Sequence, residues 1–119
     1  MQLQTIVDTI LQPKSTIIKG RITIPTQSGF EIIILENLIY AKADDNYTEL
    51  YLGNRKKKMV SKTLKYFETI LEDKGFVRIH KSYLVNANSI VSYTKSNGDS
   101  VVLNNEKELS VSASKSYFN

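Results

Sequence analysis

Apolar positions along the chain follow two different periods, and the change falls near residue 19. Leu3, Ile6, Val7, Ile10 and Leu11 share one face at helical spacing, and Pro13 ends the segment. This predicts a short amphipathic helix, read either as a small docking helix or as the tail of a linker from a preceding domain. From Lys19 onward the pattern becomes alternation or short apolar runs. Residues 21–25 and 30–35 read as strands around a Gln27-Ser28-Gly29 turn. Residues 38–43 and 47–52 follow as strands, the second with Tyr47, Glu49 and Tyr51 facing outward and Thr48, Leu50 and Leu52 inward. Gly53-Asn54 then reads as a two-residue hairpin turn into a returning strand over residues 57–61.

Leu64, Phe67, Ile70 and Leu71 recur at helical spacing, with Ser61 or Thr63 as the N-terminal cap and Lys74-Gly75 as the stop. Strands resume at residues 76–79 and 83–85. The clearest hairpin joins residues 90–96 to 100–103 through Asn97-Gly98. A polar Asn104-Asn105-Glu106 turn leads to a last strand at 108–111, and residues 113–118 read as a short helix. Core candidates are Ile22, Ile24, Ile32, Ile34, Leu50, Leu52, Leu64, Phe67, Leu71, Phe76, Ile79, Leu84, Val101 and Leu103. Some eight short strands with one or two helices predict a mainly antiparallel β domain, sandwich or barrel like, without internal repeats.

Length and composition narrow the function. A chain of 119 residues and 41 % hydrophobic content suits one domain with a real core. The longest aliphatic run, residues 32–35, is far too short to cross a bilayer, so no membrane partner is expected. Residues 1–11 have neither a basic start nor a continuous apolar stretch, which makes a cytoplasmic location the expectation. With no Cys, disulfide scaffolds, thiol nucleophiles and thiolate-held metals drop out. A single His leaves no imidazole set for zinc, and no cofactor is expected. Catalysis finds no footing either. There is no nucleophile elbow, no phosphate-binding glycine loop, and the paired Asp44 and Asp45 are adjacent and read as part of a turn.

Charge adds a location. Residues 1–41 and 66–119 are each balanced, so the whole +4 excess lies in residues 42–65, where seven basic residues face three acidic ones. Arg55, Lys56, Lys57, Lys58, Lys62 and Lys65 are consecutive in sign, with no carboxylate among them. Such a run serves equally as an anion-binding surface or as a solvated strand edge guarded by lysines.

The segment Gly75-Phe76-Val77-Arg78-Ile79-His80-Lys81-Ser82-Tyr83-Leu84-Val85-Asn86 resembles the signature of the LytTR DNA-binding domain. In that signature an aromatic residue, an Arg-x-His-Arg/Lys-Ser core and a Val-Asn follow a helix. Three more stretches match in order: Ile39-Tyr40-Ala41-Lys42-Ala43-Asp44-Asp45-Asn46-Tyr47-Thr48, Val60-Ser61-Lys62-Thr63-Leu64 and Leu109-Ser110-Val111-Ser112. The resemblance spans residues 21–118. It implies an elongated stack of antiparallel β-sheets with one or two short helices, whose loops, not a helix, enter the DNA grooves. It also implies the output half of a bacterial two-component response regulator, bound to promoter direct repeats as a homodimer, with an N-terminal receiver controlling assembly. A receiver does not fit in this length. The expectation is therefore a DNA-binding domain over residues 21–119 with residues 1–20 as linker, or else a stand-alone regulator.

The resemblance places recognition in three loops. In the first, Asn46 carries an amide suited to an adenine edge and Tyr47 a hydroxyl suited to phosphate, although Asp and Asn also favour turns for local reasons. In the second, Lys81 is aimed at a groove and Ser82 sits beside it. His80 either contacts DNA or holds the loop through an internal hydrogen bond. In the third, relatives place arginines that reach guanine. Ala113 cannot form that fork and Lys115 offers only a point charge, so Ser114 and Lys115 are expected to anchor phosphate. Lys62 and the run from Arg55 to Lys58 are expected to add backbone attraction, about five phosphates in all, with a log–log salt slope of about −4.5. The alternative reading is a protein-interaction or ligand-sensing β module that kept the scaffold and lost DNA recognition.

Overall fold

The computed structural model describes residues 20–95 and 98–112. Among them, ten strands form three antiparallel sheets. β1 (Arg21–Thr26) pairs with β2 (Gly29–Ile34). A central five-stranded sheet has the order β5-β4-β3-β7-β6, from β3 (Leu38–Asp44), β4 (Tyr47–Leu52), β5 (Lys57–Val60), β6 (Phe76–His80) and β7 (Tyr83–Asn86). β8 (Ile90–Thr94), β9 (Asp99–Leu103) and β10 (Glu108–Val111) make the third sheet. One α-helix, α1 (Leu64–Leu71), joins β5 to β6. The principal dimensions, 45 × 31 × 24 Å, are those of an elongated stack.

The strands β3, β6 and β7 of the central sheet are buried on both faces. On one, Ala41, Leu50, Leu84 and Phe76 pack with Ile22, Ile24 and Ile33 of the β1–β2 sheet and with Leu64, Phe67 and Leu71 of α1. On the other, Tyr40, Val77, Ile79 and Val85 meet Val101, Leu103, Leu109 and Val111 of the third sheet. Side chains alternate between these faces, with two interruptions, one in β3 and one between Arg78 and His80 of β6. A bulge between Leu38 and Tyr40 sends both Ile39 and Tyr40 to the second face, and alternation resumes at Ala41. At the start of that bulge, the buried Asn86 side chain donates to the Leu38 carbonyl at 3.0 Å.

α1 begins where predicted. Thr63 is its cap, with its hydroxyl oxygen accepting from the Tyr66 N–H at 3.2 Å. A 3-10 turn over Glu72–Lys74 ends at Gly75, whose φ of 91° is a left-handed stop. Of the residues that recur at helical spacing, Leu64, Phe67 and Leu71 are buried and Ile70 is partly buried against the same core.

Several expectations need correction. Ile32 and Ile34 are not core residues: they are 46 % and 42 % exposed, and Ile33 and Leu35 are buried in their place. The apolar run over residues 32–35 carries no alternation, so pairing decides the phase, and Ile33 lies opposite the buried Ile22. Leu52 is only partly buried. Tyr51 does not face solvent but stacks on buried Tyr40, ring centroids 4.4 Å apart and planes 3° from parallel.

The turns differ as well. Thr26 pairs with Gly29, which leaves Gln27 and Ser28 alone in the first turn. The β4–β5 loop has three residues, closed by Leu52 N–H to the Lys56 carbonyl at 2.9 Å, with Arg55 at φ 68°. The β9–β10 loop repeats this, with Leu103 N–H on the Lys107 carbonyl at 2.8 Å and Glu106 at φ 73°. In both, a left-handed residue ends a tight turn, a geometry that Asn-rich sequence alone does not distinguish from a two-residue hairpin. In the β8–β9 hairpin Thr94 faces Ser100, where a two-residue Asn97-Gly98 turn would put Lys95. The helices read from residues 3–11 and 113–118 lie outside the described residues.

Phe67 is fully buried between α1 and both neighbouring sheets. Phe67→Ala is expected to cost about 3–5 kcal/mol in urea unfolding, with loss of the cooperative transition at physiological temperature if the domain is only marginally stable.

Candidate nucleic-acid interface

Strand direction alone brings the predicted loops together. β3 ends at Asp44 and β4 begins at Tyr47, so Asp45 and Asn46 form a two-residue turn, with Asp45 at φ 59°. β6 ends at His80 and β7 begins at Tyr83, so Lys81 and Ser82 form another. β3 and β7 are antiparallel neighbours with Lys42 opposite Tyr83. Both turns therefore emerge from the same end of the central sheet. The Ser82 carbonyl accepts from the Ala43 N–H at 2.9 Å, which locks one turn to the root of the other. Asn46 and Tyr47 are exposed, as is Lys81, while His80 and Ser82 are half-buried.

Lys62 joins this end. β5 runs antiparallel to β4 with Val60 opposite Thr48, so the chain leaves β5 beside Tyr47. The buried Thr48 hydroxyl donates to the Lys62 carbonyl at 2.7 Å, and the Lys62 ammonium lies 5.0 Å from the Tyr66 ring centre. Ser114 and Lys115 lie outside the described residues. The chain reaches them from Ser112, whose N–H donates to the Ile79 carbonyl at 2.9 Å, one residue before His80.

The second turn is held from beneath by Arg78. Its Nε donates to the His80 carbonyl at 2.9 Å and its Nη2 to the Lys81 carbonyl at 2.5 Å. Its Nη1 donates to Glu68 Oε1 of α1 at 2.7 Å. The Arg78 and Glu68 side chains are 10 % and 16 % exposed, so this ion pair is shielded from solvent screening. A guanidinium fork suits the task, because a planar array of donors can meet two carbonyls and a carboxylate at once. Sequence reading counted Arg78 only as part of a motif and as one more charge. Its signal was position, a lone cation between the buried Val77 and Ile79.

His80 completes the turn. Its Nδ1 accepts from the Ser82 N–H at 3.0 Å, which requires a lone pair on that nitrogen. Burial first, then the neighbouring Lys81 and Arg78 charges, hold its pKa below the ordinary 6.5. Of the two roles considered for His80, the internal hydrogen bond is present.

The basic run does not gather here. Arg55 and Lys56 occupy the β4–β5 loop, at the other end of β4 from Tyr47, about 17 Å along a six-residue strand. Lys57 pairs with Glu49 at 3.5 Å and Lys58 with Glu31 at 3.0 Å. The turn end holds Lys62 and Lys81 against Asp44 and Asp45 among the described residues.

Comparison with known proteins bears on the family and the fold. Residues 28–117 match the model of the LytTr DNA-binding domain family. No curated protein matches the chain. Among solved structures, the chain is similar to the LytTr DNA-binding domain of a protein described as a methyl-accepting/DNA response regulator from Bacillus cereus. The two are 25 % identical with a TM-score of 0.68, over 84 % of this chain and 94 % of that one.

Two outcomes are expected. Arg78→Ala, which strands Glu68 and two carbonyls, should destabilise the domain by about 3–5 kcal/mol, and Arg78→Lys, which keeps the charge and loses the fork, by about 1–3 kcal/mol in denaturant titrations. For His80 the neutral form is the folded one. Its contribution is complete above pH 6.5 and is lost as pH falls through the depressed folded value. Thermal melts across that window should show wild type losing stability on acidification faster than His80→Gln. Parallel curves would contradict the assignment.

Proposed function

The chain belongs to the LytTR family of DNA-binding domains, and from that membership we infer that it binds duplex promoter DNA sequence-specifically through the turn end of its central sheet. The observation that carries this reading is the convergence of the Asp45-Asn46 turn, the Lys81-Ser82 turn and Lys62 on one end, joined by the Ser82–Ala43 hydrogen bond.

In this reading Asn46 reads an adenine edge from an exposed turn and Tyr47 donates to phosphate. Lys81 enters the groove, with Ser82 and His80 shaping the turn that carries it. Lys62 anchors phosphate beside them, and Ser114 and Lys115 do the same from the third loop. Rigidity supports this division of labour. A turn fixed by Arg78 loses little conformational freedom on binding, so more of each contact appears as affinity. Two domains then occupy a pair of direct repeats as a homodimer, in a two-component regulator whose receiver lies N-terminal to the domain, residues 21–119 being the DNA-binding unit.

The distribution of cations revises the expected salt dependence. With Lys62 and Lys115 on phosphates and Lys81 adding its charge from within the groove, about three counterions are displaced per domain, and log affinity on a single-repeat duplex should fall with a slope of about −2.7 in log salt. A slope near −4.5 is expected only if the run from Arg55 to Lys58 also meets the backbone. The test begins with duplexes selected by the protein from a randomised pool. On the selected site Lys81→Ala should weaken binding by about 1–3 kcal/mol at unchanged melting temperature, and the Arg55→Ala, Lys56→Ala double variant should bind as wild type. Unchanged affinity in Lys81→Ala, or failure to select any motif, would overturn the reading.

A further inference from the structure

The β1–β2 sheet is covered on one face only. Ile22, Ile24 and Ile33 fill the interior, while Phe30, Ile32 and Ile34 stand on the opposite face, 65 %, 46 % and 42 % exposed. Their cross-strand partners are Pro25, Thr23 and Arg21. Three of the seven large hydrophobic residues exposed among the described residues thus lie at alternate positions on one strand. Phe30 to Ile34 makes a stripe about 14 Å long.

We propose that this stripe is the docking surface for the chain's own residues 3–11. That segment carries Leu3, Ile6, Val7, Ile10 and Leu11 on one helical face. As a helix it is about 13 Å long, the length of the stripe. The connection suits the distance. Gly20 accepts from the Leu35 N–H at 3.0 Å, so the chain leaves the sheet beside the Ile34 end of the stripe. The eight residues 12–19 can reach about 27 Å when extended, enough to turn back along β2.

Size separates this occupant from another molecule. The exposed apolar area of the three side chains is of the order of 300 Å², well below the roughly 800 Å² per partner of a stable protein–protein interface. A tethered segment needs less, because its linker supplies a local concentration in the millimolar range. The same face would be too small to hold a second copy at ordinary concentrations.

The test uses the full chain, which has no cysteine. Ile32→Cys introduces a thiol on the stripe, and Val91→Cys, at a strand position 62 % exposed, serves as the open reference. The stripe thiol should react with a maleimide about tenfold more slowly than the reference, at a rate independent of protein concentration. Adding Ile6→Asp and Ile10→Asp should raise it to the reference rate and leave the Val91→Cys rate unchanged, with the circular dichroism of the β domain retained. Protection below about threefold, protection that survives the two aspartates, or protection that grows with protein concentration as a second copy covers the face would each overturn the proposal.

Discussion

Arg78 ties the helix to the Lys81-Ser82 turn, at the end of the central sheet that we propose meets DNA. One guanidinium reaches Glu68 on α1 and the carbonyls of His80 and Lys81 beyond β6. Without it, the part-buried Glu68 carboxylate and His80 carbonyl would lose this donor, and the exposed Lys81 carbonyl would be left to water. With it, the position of Lys81 is set by the packing of α1. That packing rests in turn on Phe67 and Leu71, both fully buried. The core and the turn end are therefore one mechanical unit. If the turn end meets DNA as proposed, a substitution inside α1 alters binding without approaching DNA.

The second constraint is burial on both faces of the inner strands. Covering both sides of β3, β6 and β7 demands apolar residues at most of their positions and leaves polar groups few places to go. Those that remain have bonded partners. Thr48 holds the Lys62 carbonyl, and Asn86 holds the Leu38 carbonyl where the bulge begins. Each fixes a change of chain direction. In this fold the buried polar residues mark where strands stop, and the turn end is where several stop together.

Much of this was legible in the sequence. Helical spacing located α1 and its buried residues, and Thr63 and Gly75 marked its ends. The strands were mostly found within a residue or two, and the Arg-His-Lys-Ser and Val-Asn motifs indicated the family. Phase was harder. The run from Ile32 to Leu35 is apolar throughout, so only pairing with β1 shows that Ile33 points inward. Turn lengths were hidden for a related reason, since Arg55 and Glu106 adopt left-handed conformations that their residue types do not announce. Tyr51 escapes a reading of β4 as half polar because its ring stacks on the buried Tyr40 and is partly covered at the margin of the second cluster. The roles assigned to Asn46, Tyr47 and Ser82 rest on family resemblance and on where the turns lie.

Charge along the chain and charge in space also diverged. The run from Arg55 to Lys58 suits an anion-binding surface and a guarded strand edge equally in sequence, and the hairpin carries Arg55 and Lys56 to the end of β4 away from Tyr47. Which end of the central sheet meets DNA is therefore the deciding question. Amide chemical-shift mapping with a duplex selected from a random pool tests this most directly. Changes concentrated at Asp45, Asn46, Tyr47, Lys62, Lys81 and Ser82 are predicted. The largest changes at Gly53, Asn54, Arg55 and Lys56, with the Lys81 turn unmoved, would contradict it.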